Sequence, residues 1–154
     1  GPIDSDLWES WRMPNRDVPV EITINSEGGD VLAALHIADA IATHRAGCTT
    51  VVPAGAVCFS AACVVFSAAR ERRAHVDSRF LIHATGWAPG EPGRWTAEDH
   101  RTRAAHLAAI DDGMFAALAR ACNRSVEQIM AVASENEISA LTAADLGLVT
   151  FVEW

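Results

Sequence analysis

The chain has 154 residues, half of them hydrophobic and 21% charged, with a formal net charge of −8. This is the composition of one globular domain large enough for a real core, and its acidic balance argues against nucleic acid or an anionic membrane as partner, since both need a basic face. All 12 basic residues are arginine and tyrosine is absent, which excludes a Ser-Lys dyad, a Schiff-base or P-loop lysine, and a phenolic acid or nucleophile.

Residues 18–25 are β-branched and apolar, stopped by Ser26-Glu27-Gly28-Gly29, and predict a buried strand. Val31, Leu35, Ala38, Ile41 and Ala42 then recur at helical spacing, with Gly47 as the stop. Residues 48–53 predict a second strand, and a glycine turn leads to Ser60. The stretch 61–69 has no polar face, which is the pattern of a fully buried helix. Arg70-Glu71-Arg72-Arg73 is expected to be a solvated turn. Short strands follow at 74–76 and 80–82.

Residues 86–95 are punctuated by Gly and Pro and predict a loop. Thr96-Ala97-Glu98-Asp99 is a helix start signature for a long Ala-rich helix to about Cys122. Ser125-Val126-Glu127-Gln128 opens another helix in the same way. Thr142-Ala143-Ala144-Asp145 opens a last short turn, and 148–152 is a terminal strand. Strands alternating with helices predict an α/β fold with helices on the sheet faces.

Cys48, Cys58, Cys63 and Cys122 form no C-x-x-C pair, and no histidine stands at a zinc-site spacing, so no metal is expected. Each is expected to be a free, buried thiol. A Cys58–Cys63 bridge flanking Ser60 is the alternative, which a helix starting at the serine would forbid if it turned the two side chains apart. The longest apolar run, 61–69, is too short to cross a bilayer.

Three features could supply acyl transfer: a nucleophile, a base and a backbone-donor loop. Ser60 precedes an apolar helix, whose first N–H groups and positive dipole end would face a developing oxyanion. The Ala61 N–H is one donor. Gly29, after Gly28, is the second, because a residue without a side chain lets the backbone approach a bound carbonyl. Of six histidines, His36, His44, His100 and His106 are expected on helix surfaces. His75 has no partner by sequence. His83 ends a hydrophobic strand and is the candidate base.

Ile24-Asn25-Ser26-Glu27-Gly28-Gly29 followed by a helix, Ser60 at the head of a buried helix, and Ser78-Arg79-Phe80-Leu81-Ile82-His83 resemble the Clp protease proteolytic subunit and its ClpP/crotonase-fold relatives. The corresponding family patterns are I-N-S-P-G-G, the nucleophilic serine, and S-R-x-x-I-H. Ser139-Ala140-Leu141-Thr142-Ala143-Ala144-Asp145-Leu146-Gly147-Leu148-Val149 is similar to the family's S-A-x-E-A-x-x-x-G-L-V. The resemblance covers nearly the whole chain.

There are departures. Glu27 replaces a proline, Thr85 stands where a proline follows the histidine, and the approach to the serine is one residue longer. The interval from serine to histidine is two residues shorter, a loss placed at 70–73.

The resemblance implies a spiral of repeated β-β-α units with a protruding handle helix, here 96–122, in a single domain over 1–154. Gly1-Pro2-Ile3-Asp4 is either led by a cleavage scar or is the family's G-x-I-D turn, with the first strand absent. Ser60 and His83 would be nucleophile and base, with Gly29 and Ala61 as oxyanion hole. The third member, an Asp in the family, is expected at Asn136, on a forward count from Ser125 that crosses one unbroken helix. A backward count from Gly147 gives Glu135, and Glu137 is a nearby substitute.

The implied activity is that of a serine peptidase without cofactor, acting on peptides or unfolded protein. It would work inside a homo-oligomeric ring fed by an ATP-dependent unfoldase in the cytoplasm. Cys58 and Cys63 around the serine resemble a ClpP-like group of predicted secreted proteins, which makes a secreted or periplasmic location the alternative. Two other activities fit the same fold: a catalytically weak or inactive structural subunit of such a ring, and a crotonase-type acyl-CoA enzyme, for which the missing lysine removes a contact to CoA phosphates.

Overall fold

The computed structural model describes residues 1–86 and 94–154, so most of the loop expected at 86–95 lies outside the described residues. The chain forms α1 (Ser5–Ser10), β1 (Val20–Thr23), α2 (Val31–Ala42), β2 (Cys48–Val52), β3 (Val57–Phe59), α3 (Ala61–Ser67), β4 (Glu71–His75) and β5 (Arg79–Leu81). Then come α4 (Ala97–Cys122), α5 (Val126–Val132), β6 (Ile138–Ser139), α6 (Ala140–Leu146) and β7 (Phe151–Glu153).

Two sheets result. One has the order β1-β2-β4-β7 and is parallel throughout. The other has the order β3-β5-β6, with β3 and β5 parallel and β6 antiparallel to β5. The consecutive strands β2 and β3 enter different sheets, and so do β4 and β5. The mixed α/β class expected from the alternation is therefore present, with helices between parallel strands.

Local chemistry accounts for most elements. Asp30 caps α2 by accepting the Ala33 N–H. Thr96 with Asp99, and Ser125 with Gln128, close reciprocal capping boxes on α4 and α5. In α3 every residue from Ala61 to Ser67 is buried. Burying each large apolar side chain there stabilises the fold by roughly 1.5–3 kcal/mol. Helix α4 differs between its halves: its buried residues begin only at Met114. No helix among the described residues is long and apolar enough to cross a membrane.

Three expectations are corrected. Helix α2 ends at Ala42, with Thr43 as its cap, rather than at Gly47, which belongs to a separate turn closed onto His44. His44 is buried, not on the surface, with its Nε2 2.9 Å from the Val18 carbonyl. Residues 71–73 open strand β4 and are not a solvated turn, so the two-residue loss cannot be placed in a free loop there.

Arg72 gives the reason for the last correction. It is buried, and its guanidinium donates to the carbonyls of Ala69, Ala121, Gly147 and Leu148 at 2.7–3.1 Å. These carbonyls lie at the C-terminal ends of α3, α4 and α6, where helix carbonyls lack intrahelical partners and carry partial negative charge. One planar cation with five donors satisfies all three ends. It thereby fixes the far end of the helix that Ser60 opens.

Candidate active site

Strand β3 runs straight into Ser60, which turns the chain into α3. Ser60 has φ 54° and ψ −125°, a left-handed conformation rare for a residue with a side chain. Such a conformation stores about 1–3 kcal/mol of strain and persists only where the surroundings impose it. Here they do. The Ser60 N–H donates to the Leu81 carbonyl at 2.7 Å, its carbonyl accepts the Cys63 N–H at 2.9 Å, and Cys58 and Ala61 on either side are fully buried. Ala61 is the first residue of α3, so its N–H has no partner within the helix.

The glycine loop packs directly on this turn. Ser26 is bonded in both directions to β3, through Val57 at 2.9 Å and Phe59 at 3.0 Å. Gly28 has φ 97°, and a Cβ there would fall 2.8 Å from the Ser60 Cβ and 2.7 Å from the Phe59 carbonyl. Gly29 has φ 142°, and a Cβ there would fall 2.1 Å from the Ile3 carbonyl. No side chain fits either position.

Ile3 bonds to the residues on both sides of Gly29, donating to the Gly28 carbonyl at 2.8 Å and accepting the Asp30 N–H at 2.7 Å. In a parallel pairing of this kind the middle residue's own N–H points away from its partner. The Gly29 N–H is thus turned from Ile3, and Gly29 lines the same cleft as Ser60.

His83 reaches the site through strand pairing. Strand β5 runs parallel to β3 with Phe59 opposite Leu81, so the residues following both strands emerge together. Ser60 and His83 line one cleft of about 520 Å³, with Leu32, Leu107 and Ile110 as apolar wall. Among the described residues, no hydrogen bond joins Ser60 Oγ to the imidazole. Unliganded sites commonly leave this contact loose, to tighten around substrate.

The imidazole Nδ1 lies 3.6 Å from Glu135 Oε1, whose side chain is 87% exposed. The Ser134 N–H donates to the Ile82 carbonyl at 2.8 Å, which registers this turn against the strand end carrying His83. Asn136, favoured by the forward count, is exposed, and its N–H donates to Ser134 Oγ at 3.2 Å. The forward count assumed one unbroken helix, whereas α5 stops at Val132 and a turn follows. Glu137 is engaged elsewhere, in an ion pair with Arg79 at 3.0 Å. The structure therefore brings Ser60, His83, Gly29 and Ala61 together, and sets Glu135 rather than Asn136 beside the ring.

The family model described as Clp protease matches residues 12–153, which spans the glycine loop, Ser60, His83 and both candidate third members. The chain belongs to the Clp protease family. No curated protein registers as a match to it.

In this Clp-family chain the cleft also holds residues that sequence reasoning did not assign to it. His106 is exposed on α4, as expected, and it also lines the cleft, as do Glu27 and Leu32. The signal was present for Leu32, an exposed leucine at the second position of α2, directly after the glycine loop. His75 has a partner after all: its Nδ1 accepts the Asp77 N–H at 3.2 Å.

All four cysteines are free thiols. The Cys63 thiol donates to the Cys58 carbonyl at 3.0 Å instead of bonding to its sulfur. Burial pushes the Cys58 thiol well above its usual range, with the Cys63 thiol adding to the effect. These two cysteines act as apolar packing beneath the serine turn. Among the described residues, no three His, Cys, Asp or Glu side chains gather as metal ligands would.

Proposed function

We propose that this Clp-family chain is a serine peptidase with Ser60 as nucleophile and His83 as general base. The observation that carries the reading is the strained Ser60 turn at the head of a buried helix, with Gly28 packed on it too tightly for any side chain. Strain of this kind at a half-buried serine lining a cleft is what a nucleophile elbow looks like.

In the proposed reaction His83 Nε2 takes the proton of Ser60 Oγ as the oxygen attacks the peptide carbonyl. The ring presents that nitrogen because Nδ1 faces Glu135. The carbonyl oxygen becomes an oxyanion between the N–H groups of Gly29 and Ala61. Collapse expels the amine, which receives the proton from His83, and leaves an acyl-serine. Water, deprotonated by the same imidazole, then attacks the ester, and the imidazolium returns that proton to Ser60 Oγ as the acid leaves. Protons and electrons balance without a cofactor. Glu135 favours the imidazolium that forms in each half-reaction.

The substrate is a peptide or an unfolded protein segment. The apolar wall of Leu32, Leu107 and Ile110 suits an apolar side chain beside the scissile bond. The reading includes a homo-oligomeric ring and an ATP-dependent unfoldase, on the ground of family membership. It is supported by the first half of α4, which carries no buried residue and is suited to contact other copies as a handle.

A fluorophosphonate probe tests the reading. It should label the wild-type protein at Ser60 and leave Ser60→Ala unlabelled. A wild type that stays unlabelled and cleaves no short peptide ester in its assembled state overturns it. A non-catalytic ring subunit then takes its place, a reading favoured by the open Ser60–His83 contact and by the exposure of Glu135.

A further inference from the structure

We infer that Asp111 is a positioning residue for His83, acting through Thr85. The inference rests on the serine-peptidase reading and adds to it a residue of α4, the helix that lines the cleft through Leu107 and Ile110. Residues 82–86 belong to neither a helix nor a strand. The direction of the backbone at His83 therefore depends on what holds the residues around it.

On the N-terminal side the Ile82 carbonyl accepts the Ser134 N–H at 2.8 Å. On the C-terminal side both donors of Thr85 converge on a single oxygen. Its N–H and its Oγ1 each reach Asp111 Oδ1 at 2.7 Å. Hydrogen bonds to an ionised carboxylate are short and about twice as strong as neutral ones. Held through main chain and side chain together, Thr85 fixes the chain two residues beyond the imidazole.

Asp111 is itself well anchored. It stands three and four residues before Met114 and Phe115, both buried, so it shares the inward face of α4. The same helix supplies Leu107 and Ile110 to the cleft. The Thr85–Asp111 contact thus sets the imidazole at a fixed place relative to the wall on which a substrate packs. A displacement of about 1 Å in a catalytic group can lower turnover by about 100-fold.

A loop anchor with no catalytic consequence would affect stability alone, so the test separates the two. Asp111→Ala, Asp111→Asn and Thr85→Val are compared with wild type for kcat and KM on a short peptide ester. Fluorophosphonate labelling rate and exchange of the Thr85 amide hydrogen are measured at a temperature where each variant is folded. Asp111→Ala should lower kcat by about 10–100-fold, leave KM within about twofold, and release the Thr85 amide to fast exchange. Thr85→Val should fall less, because it keeps the N–H bond. Asp111→Asn, which retains an acceptor oxygen, should recover most of the turnover.

If wild type labels and Asp111→Ala labels and turns over equally well, the positioning role is overturned while the peptidase reading stands. If wild type neither labels nor turns over, the peptidase reading falls and this inference falls with it. A Thr85 amide that exchanges equally fast in wild type and Asp111→Ala overturns the inference whatever the activity.

Discussion

The Ser60 N–H donates to the Leu81 carbonyl at 2.7 Å, and His83 follows Leu81 by two residues. The bond makes the Ser60 turn and the strand end that leads to His83 one mechanical unit. It extends the β3–β5 ladder one residue past the last strand pair, into the strained turn itself. Motion of Ser60 and His83 relative to each other is then limited to their side chains and to the short segment after Leu81.

The strained turn predicts a trade of activity against stability. Glycine adopts a positive φ without steric penalty, whereas alanine keeps the strain of serine at φ 54°. Ser60→Gly should therefore be more stable than Ser60→Ala by about 1 kcal/mol, read from urea midpoints, and neither should label. Equal midpoints would mean that the conformation is not strained.

The third position predicts an unequal pair of variants. Glu135 lies 3.6 Å from the ring and is largely exposed. Solvent and salt screen such a pair, and exposed pairs are worth about 0–1 kcal/mol. Glu135→Gln should lower kcat by about tenfold at most, with a smaller effect in high salt. Asn136→Asp should stay within about twofold of wild type, because its side chain is not the one placed against the imidazole. The reverse ranking, with Asn136→Asp much faster and Glu135→Gln silent, would return the orienting role to residue 136.

Thiol chemistry gives a pH prediction. Burial raises the Cys58 thiol well above its ordinary value of 9.0. Burial also raises Cys122 from 9.0 to about 11, with the nearby Arg72 opposing in part. A raised folded-state pKa means that the neutral thiol is favoured in the fold, while the unfolded thiol ionises near 9. The contribution to stability is therefore complete below about pH 9 and is lost as the pH rises towards about 11. Melting temperatures should fall across that window, and less so in Cys122→Ala. At pH 8 a thiol reagent should react slowly with the buried Cys58, Cys63 and Cys122 of the native protein, faster with the half-buried Cys48, and count four thiols after unfolding. A count of two would establish a Cys58–Cys63 bridge.

Arg72 predicts a large loss of stability far from the cleft. Its bonds to four carbonyls at three helix ends are charge-assisted and buried. Removing them leaves acceptors without donors, so Arg72→Leu should lose about 2–4 kcal/mol in urea unfolding. Arg72→Lys should recover little, because an ammonium cannot span the planar set. A loss below about 0.5 kcal/mol would show that water replaces the guanidinium freely.

What the sequence determined is what local signals carry. The capping boxes at Thr96 and Ser125 marked α4 and α5, the apolar run after Ser60 marked α3, and the order of Gly29, Ser60 and His83 pointed to one site. The glycine pair could be read because its need for positive φ is a property of the chain itself. What lay beyond sequence was decided between distant segments. Strands β3 and β6 have three and two residues, too few for any periodicity, and exist because a partner strand is there to accept their bonds. Arg72 looked like part of a solvated charge run, yet three of its four acceptors lie 49 to 76 residues away. Glu135 rather than Asn136 meets the imidazole because α5 stops at Val132 and the following turn is pinned to Ile82. A one-residue difference in a turn redirects a side chain, and counting along a sequence cannot see where a turn is held.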